Sequence, residues 1–249
     1  MSTKTNIKIN QFTSLLLSWL KLRLATKSLA WIDRQIAEIT KTTTEKTLFT
    51  TFSAVPRYLG KAPLNLSISE LQAASQLIPG WKPINWTVDQ VGRTLLLLCF
   101  NNEDKNRYVA TIDKILSVAD VGETVAFYQS LPLLPHPEAF RLRAAEGVRT
   151  NMTSVFNAVA LNNPYPAEYL DDLAWNQMVL KALFIGTPLH PIYGLERRNN
   201  QQLAIMLIDY ANERLAAKRT VSPELWDLVT VFKPEVATRL KHASQAICS

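Results

Sequence analysis

The chain has 249 residues, of which 47% are apolar and 19% charged, a globular rather than a disordered composition. Only seven glycines stand against 13 prolines, which leaves little room for phosphate-cradling loops and argues against a nucleotide-binding α/β enzyme. The net charge of +6 is uneven: residues 1–61 hold ten basic and three acidic side chains, while the other 188 residues are near neutral. The basic N-terminal quarter is expected to attract an anionic membrane surface. No basic run interleaved with aromatics suggests nucleic acid.

Apolar spacing is helical nearly throughout. Phe12, Leu15, Leu16, Trp19 and Leu20 mark a first helix, and Leu29, Ile32, Ile36 and Ile39 a second, ending in the Thr-rich 40–44 segment. Leu48, Phe49 and Phe52 begin a third, stopped at Val55-Pro56. After the turn-rich stretch 57–63, Ser67 or Ser69 caps a short helix that ends at Pro79-Gly80. Trp81–Trp86 reads as irregular, and Thr87 caps a helix reaching Phe100. Helices over 104–119 and 122–131 follow. A prolyl connection leads to a long helix expected from Glu138 to Leu161, closed by Asn162-Asn163-Pro164. Further helices are expected over 168–185, 200–217, from Ser222, and from Pro234. Ten or eleven helices and no strand make an all-α chain. It is read as one domain over 1–249, with residues 1–44 peripheral to a 45–233 core. Stacked pairs in a HEAT- or armadillo-like solenoid are the expected arrangement, with an irregular helical bundle as the alternative.

Cys99 lies in the apolar run 95–100 and Cys248 near the end, so both are expected to be reduced, in a cytoplasmic setting. The N-terminal residues do not read as a signal peptide, and no run approaches the roughly 18 apolar residues of a membrane-spanning helix. His136, His190 and His242 form no metal-ligand pair, and neither catalytic nor cofactor motifs occur.

The polar residues that stand out lie on two helices. The 168–185 pattern is apolar all round, which predicts burial, yet it carries Asn176, Gln177 and Lys181. The preceding pattern has a core stripe of Val148, Met152, Val155 and Val159, flanked by Glu146, Arg149, Asn151 and Asn157. These seven polar residues are the candidate ligand-binding set. Asn151, Asn176 and Lys181 are expected to face one cavity between the two helices, with Glu146 and Arg149 at its edge.

The segments Leu131–Glu138, Arg143–Asn151, Asn162–Pro166 and Trp175–Phe184, with Pro56–Lys61 and Ser222–Trp226, resemble the EboA family. The resemblance thins before residue 45 and after 233. It implies a helical protein encoded beside metabolite genes, among them one for a prenyltransferase-like membrane protein. It further implies a role in trafficking a secondary metabolite, including export of the scytonemin precursor in cyanobacteria. It brings no catalytic residues. Arg57, Tyr58, Lys61 and His136, within these segments, are taken as the positions that meet partner proteins. The function expected is a non-enzymatic escort or scaffold, cytoplasmic or peripheral to the inner membrane. The alternative is a pathway enzyme with a site around Glu146, Arg149, Asn151, Asn176 and Lys181.

Overall fold

The computed structural model describes residues 3–41 and 44–248, with side-chain surroundings over 7–41 and 44–245. Residues 42 and 43 of the Thr-rich segment, and the side chains of Lys4 in the basic quarter and of Cys248, therefore lie outside what is described. The described chain is all-α, with fourteen α-helices, one 3-10 turn, no strand, and an isolated bridge between Pro63 and Thr87. It forms two compact units, residues 1–165 and 166–249.

The first unit contains α1 (Thr3–Lys21), α2 (Thr26–Lys41), α3 (Glu45–Leu59), α4 (Ile68–Leu77), α5 (Val88–Cys99), α6 (Lys105–Val118), α7 (Val121–Ser130), a 3-10 turn (Pro137–Phe140), α8 (Arg141–Arg149) and α9 (Thr153–Ala160). Its axis is α5, against which α1, α2, α3 and α7 all pack. The sequence explains this: Leu95–Leu98 place apolar side chains on every face, so the helix must be covered on all sides. A solenoid would have each helix meet only its chain neighbours. Here α1 meets α5, a packing that the helical-bundle alternative allows. The two N-terminal helices supply core to it, through Leu16, Trp19, Leu20, Ile32 and Ile39.

Burying α5 also buries Arg93. Its guanidinium donates to Asp89 at 2.9 Å and to the Phe52 carbonyl at 3.2 Å, and stands 4.0 Å from Glu123. Glu123 is itself held by Ser53 and by the Asp120 backbone N–H, in a reciprocal cap with Asp120. A buried charge without such partners would be strongly unfavourable.

The helix expected over 138–161 is two helices. Thr150 is extended, and its hydroxyl accepts from the Met152 N–H at 3.2 Å. Side chains that bond the nearby backbone compete with the helical ladder. The chain accordingly breaks at Thr150–Met152, and there are more helices than the ten or eleven expected.

The second unit contains α10 (Tyr165–Tyr169, which begins at the boundary), α11 (Asp172–Phe184), α12 (Gln201–Ala216), α13 (Glu224–Thr230) and α14 (Pro234–Cys248). Asp171 starts α11 by accepting from the Ala174 N–H, which divides the 168–185 pattern in two. That pattern was expected to be buried all round. Instead Leu173 is 65% and Phe184 77% exposed. Arg198 accounts for the carbonyls at the end of α10: it donates to Ala167 and Leu170, pairs with Asp172, and lies over the Trp175 ring at 5.0 Å. Glu224 accepts from the Leu189 and His190 backbone N–H groups, which holds its carboxyl below the ordinary range.

Candidate ligand-binding site

Pro79-Gly80 ends the α4 region, with Gly80 in the left-handed conformation that glycine adopts freely. The following loop folds back on itself, Trp81 N–H donating to Ile78 O and Ile84 N–H to Lys82 O. It is tied down on two sides. Leu64 N–H donates to Trp86 O, and Lys82 N–H to the Asn162 carbonyl beyond α9. The loop packs into the interior through aromatic rings. Trp81 stands 5.8 Å from Trp19 and 5.8 Å from Trp86, centroid to centroid.

A cavity of about 150 Å³ lies between this loop, α7 and α9. Trp81 and Trp86 form buried apolar walls with Ala158. Gln129 comes from α7, Asn157 from α9, and Asn162 and Asn163 from the turn after it; Lys82 and Asn85 are exposed at the rim. Among the described residues Lys82 is the one charged residue of the lining. A cavity of this size accommodates a single aromatic ring.

The frame around the cavity is well determined. Asn163 donates to the Tyr128 and Ala158 carbonyls, both at 3.0 Å, and accepts from the Tyr165 N–H at 3.0 Å. It thereby ties the end of α7 to the end of α9. The Tyr128 hydroxyl donates to Arg143 O on α8, and burial pushes its pKa up to about 12. Gly147 lets α8 approach: a Cβ there would lie 2.7 Å from the Tyr128 ring and 2.8 Å from Val159.

Two groups of the lining are not satisfied by protein. Trp81 is 1% exposed, and its indole Nε1–H, a donor, has no partner. The Gln129 Oε1 atom, an acceptor, is also buried without one. An unpaired buried polar group costs about 1–3 kcal/mol, and the large majority of such groups have partners. Trp81 and Gln129, the residues that carry these two buried atoms, both line the cavity.

Of the seven residues expected to bind a ligand, Asn157 lines this cavity. Glu146 is exposed and accepts from Arg143, which also holds Asp113. Arg149 is exposed at the end of α8, and Asn151 is exposed in the break before α9. Asn176, Gln177 and Lys181 belong to the second unit. Asn176 is 2% exposed and exchanges two hydrogen bonds with the Asn200 amide, at 2.9 and 3.2 Å. Gln177 is exposed; Lys181 is half-buried, and desolvation shifts its pKa down. Among the partner-facing candidates, Arg57, Tyr58 and Lys61 are exposed, with Tyr58 stacked on Trp31 at 4.3 Å. His136 is half-buried in a left-handed conformation and donates through Nε2 to Asn102 O.

Sequence reasoning missed Trp81, Trp86, Lys82 and Gln129. Two tryptophans in a short proline-containing loop were the available signal, since large aromatics in an irregular segment must be covered by something. Gln129, an amide directly after Phe127-Tyr128, was a second signal. Among the described residues, no group of three His, Cys, Asp or Glu side chains is placed to hold a metal ion, and no helix is long and apolar enough to cross a membrane.

A family model described as metabolite traffic protein EboA matches residues 12–230. The match covers most of the chain, which thus belongs to the EboA family. No curated protein and no solved structure matches it.

Proposed function

We propose that this member of the EboA family is a binding protein that holds a small aromatic metabolite in the Trp81–Gln129 cavity while the metabolite is moved between other proteins. The observation that carries the reading is the pair of unsatisfied groups on one lining, the Trp81 Nε1 donor and the Gln129 Oε1 acceptor. A ligand with both an acceptor and a donor would answer them and rest against the wall that Trp81 and Trp86 form together. The lining consists of amides, tryptophans, aliphatic side chains, a serine and a lysine, a set suited to holding a molecule.

In this reading the cargo is a secondary metabolite bound for export, of the scytonemin-precursor type, and the protein works in the cytoplasm beside the inner membrane. Its partners are proteins of the same gene cluster, including the prenyltransferase-like membrane protein. The exposed cations Lys27, Arg34 and Lys41, seven residues apart on α2 with Asp33 and Glu38 among them, favour approach to an anionic surface.

Native mass spectrometry tests the binding role. Protein purified from cells that express the neighbouring metabolite genes is expected to carry a small aromatic adduct, absent from the Gln129→Leu variant. Bare protein, or an adduct retained in full by Gln129→Leu, would overturn it.

A further inference from the structure

Two open grooves lie in the same unit as the cavity, and one of them shares a lining residue with it. Lys82 lines the cavity and also the first groove, about 690 Å³ beside α4, whose apolar residues are Ile68 and Leu71. Gln76 lines this groove and also the second, about 690 Å³ between α1 and α4, which runs past Leu15 and Leu77 to Ile7. The three spaces form a sequence linked by shared residues. Ile68 is 78% exposed, and Ile7 is also exposed. Each groove thus carries an exposed apolar side chain, and exposed apolar patches mark binding surfaces. Among the described residues no carboxylate lines any of the three spaces, and Lys82 is the one charged residue that does. Among the described residues Lys82 has no ion-pair partner.

We propose that the cavity is the head end of a longer site for an anionic amphiphile: a hydroxylated aromatic ring, then a carboxylate, then a hydrocarbon chain. This rests on the reading of the cavity as a ligand site. The order follows the order of the linings. The ring enters the cavity and packs against Trp81 and Trp86. A ring hydroxyl both donates and accepts, so it is the smallest substituent with the chemistry to answer Gln129 Oε1 and Trp81 Nε1. The carboxylate meets Lys82 where the cavity joins the groove. The chain lies along α4 over Leu71 toward Leu77, covering apolar surface otherwise exposed to water.

The probes are N-acetyl-tyrosine, N-decanoyl-tyrosine and its methyl ester, with N-acetyl-phenylalanine and decanoate as controls. They are titrated below their micellar concentrations against the full chain, with tryptophan fluorescence as the readout. N-decanoyl-tyrosine is expected to bind at least about tenfold more tightly than N-acetyl-tyrosine, the gain from burying roughly two methylenes. Leu71→Asp, at a half-buried position, should remove that gain and leave N-acetyl-tyrosine binding unchanged. Lys82→Gln should weaken the acid and not the methyl ester.

If N-acetyl-tyrosine binds but the chain adds less than about threefold, or Leu71→Asp changes nothing, the amphiphile proposal falls and the cavity reading stands. Decanoate binding as tightly as N-decanoyl-tyrosine also overturns the proposal, since the head would then contribute nothing. If N-acetyl-tyrosine does not bind, or binds equally to Gln129→Leu and no better than N-acetyl-phenylalanine, the cavity reading itself falls. An Ile68/Leu71 surface that serves membrane contact would appear as vesicle binding lost in Leu71→Asp with no chain-length effect, which also overturns the proposal.

Discussion

Asn176 and Asn200 hold each other through a closed pair of amide hydrogen bonds inside the second unit. The Asn200 Oδ1 also accepts from the Leu203 N–H, so the same amide starts α12. Asn176→Leu leaves Asn200 half-satisfied and should cost about 1–3 kcal/mol. Because the two side chains share one interaction, the double variant should cost clearly less than the sum of the singles. Urea denaturation of the four proteins measures this, and additive losses would refute the coupling.

Gly147→Ala should destabilise the first unit. Alanine normally gains up to about 1 kcal/mol over glycine inside a helix. Here its Cβ would meet Tyr128 ring carbons at 2.7 and 2.8 Å and Val159 at 2.8 Å, and a ring packed on this scale cannot simply swing aside. Overpacking costs about 1–3 kcal/mol, so a net loss of roughly 1–2 kcal/mol is expected. Chemical denaturation would show it. A variant as stable as the parent would mean that Tyr128 has room to move.

Glu70 links stability to pH. Arg23 donates to both of its carboxylate oxygens at 2.8 Å, and the Ser67 N–H adds a third bond, lowering its pKa from 4.5 to about 2. A depressed folded-state pKa stabilises above the unfolded value and loses that contribution as pH falls through the folded value. Glu70→Gln should therefore be less stable than the parent at neutral pH, and the gap should close between pH 4.5 and about 2. Urea midpoints across that range provide the check; a gap independent of pH would refute the charge argument.

Cys99 should resist modification. Burial pushes its thiol up to about 11, and the thiolate is the reactive form. Peptide mapping after iodoacetamide at pH 8 should find Cys99 unlabelled in native protein and labelled in urea. Rapid native labelling would contradict the packing around it.

The α2 cations predict salt-sensitive association with anionic vesicles. Lys27, Arg34 and Lys41 are exposed, and among the described residues none of them is ion-paired. Exposed charges are screened over about 8 Å at physiological ionic strength. Sedimentation with phosphatidylserine vesicles should fall steeply with added salt and vanish for the triple Glu variant. Binding by that variant equal to the parent's would assign the attraction elsewhere.

Much of the fold was legible because its signals are local. The apolar spacing of α2 and α12, the Ser67 cap and the Pro-Gly stop after α4 depend on neighbours within one or two turns. The break at Thr150–Met152 was less legible, since an apolar period continues across it while a hydroxyl-to-backbone bond decides the outcome. Asn176 was expected to face a ligand cavity from a buried helix; it is buried, but its amide is paired with Asn200, 24 residues away and without a marker in the sequence.

The sequence by itself determined an all-α chain, its main helices, its basic N-terminal quarter and its family, because periodicity, composition and motif are properties of the chain's order. Only the tertiary structure decided that α5 is the centre of the first unit and that Trp81, Gln129 and Asn157 share a cavity. Those residues come from a loop and two helices up to 76 positions apart along the chain. Which polar atom stays unsatisfied depends on what every neighbouring helix brings to the same place, and no local pattern encodes that.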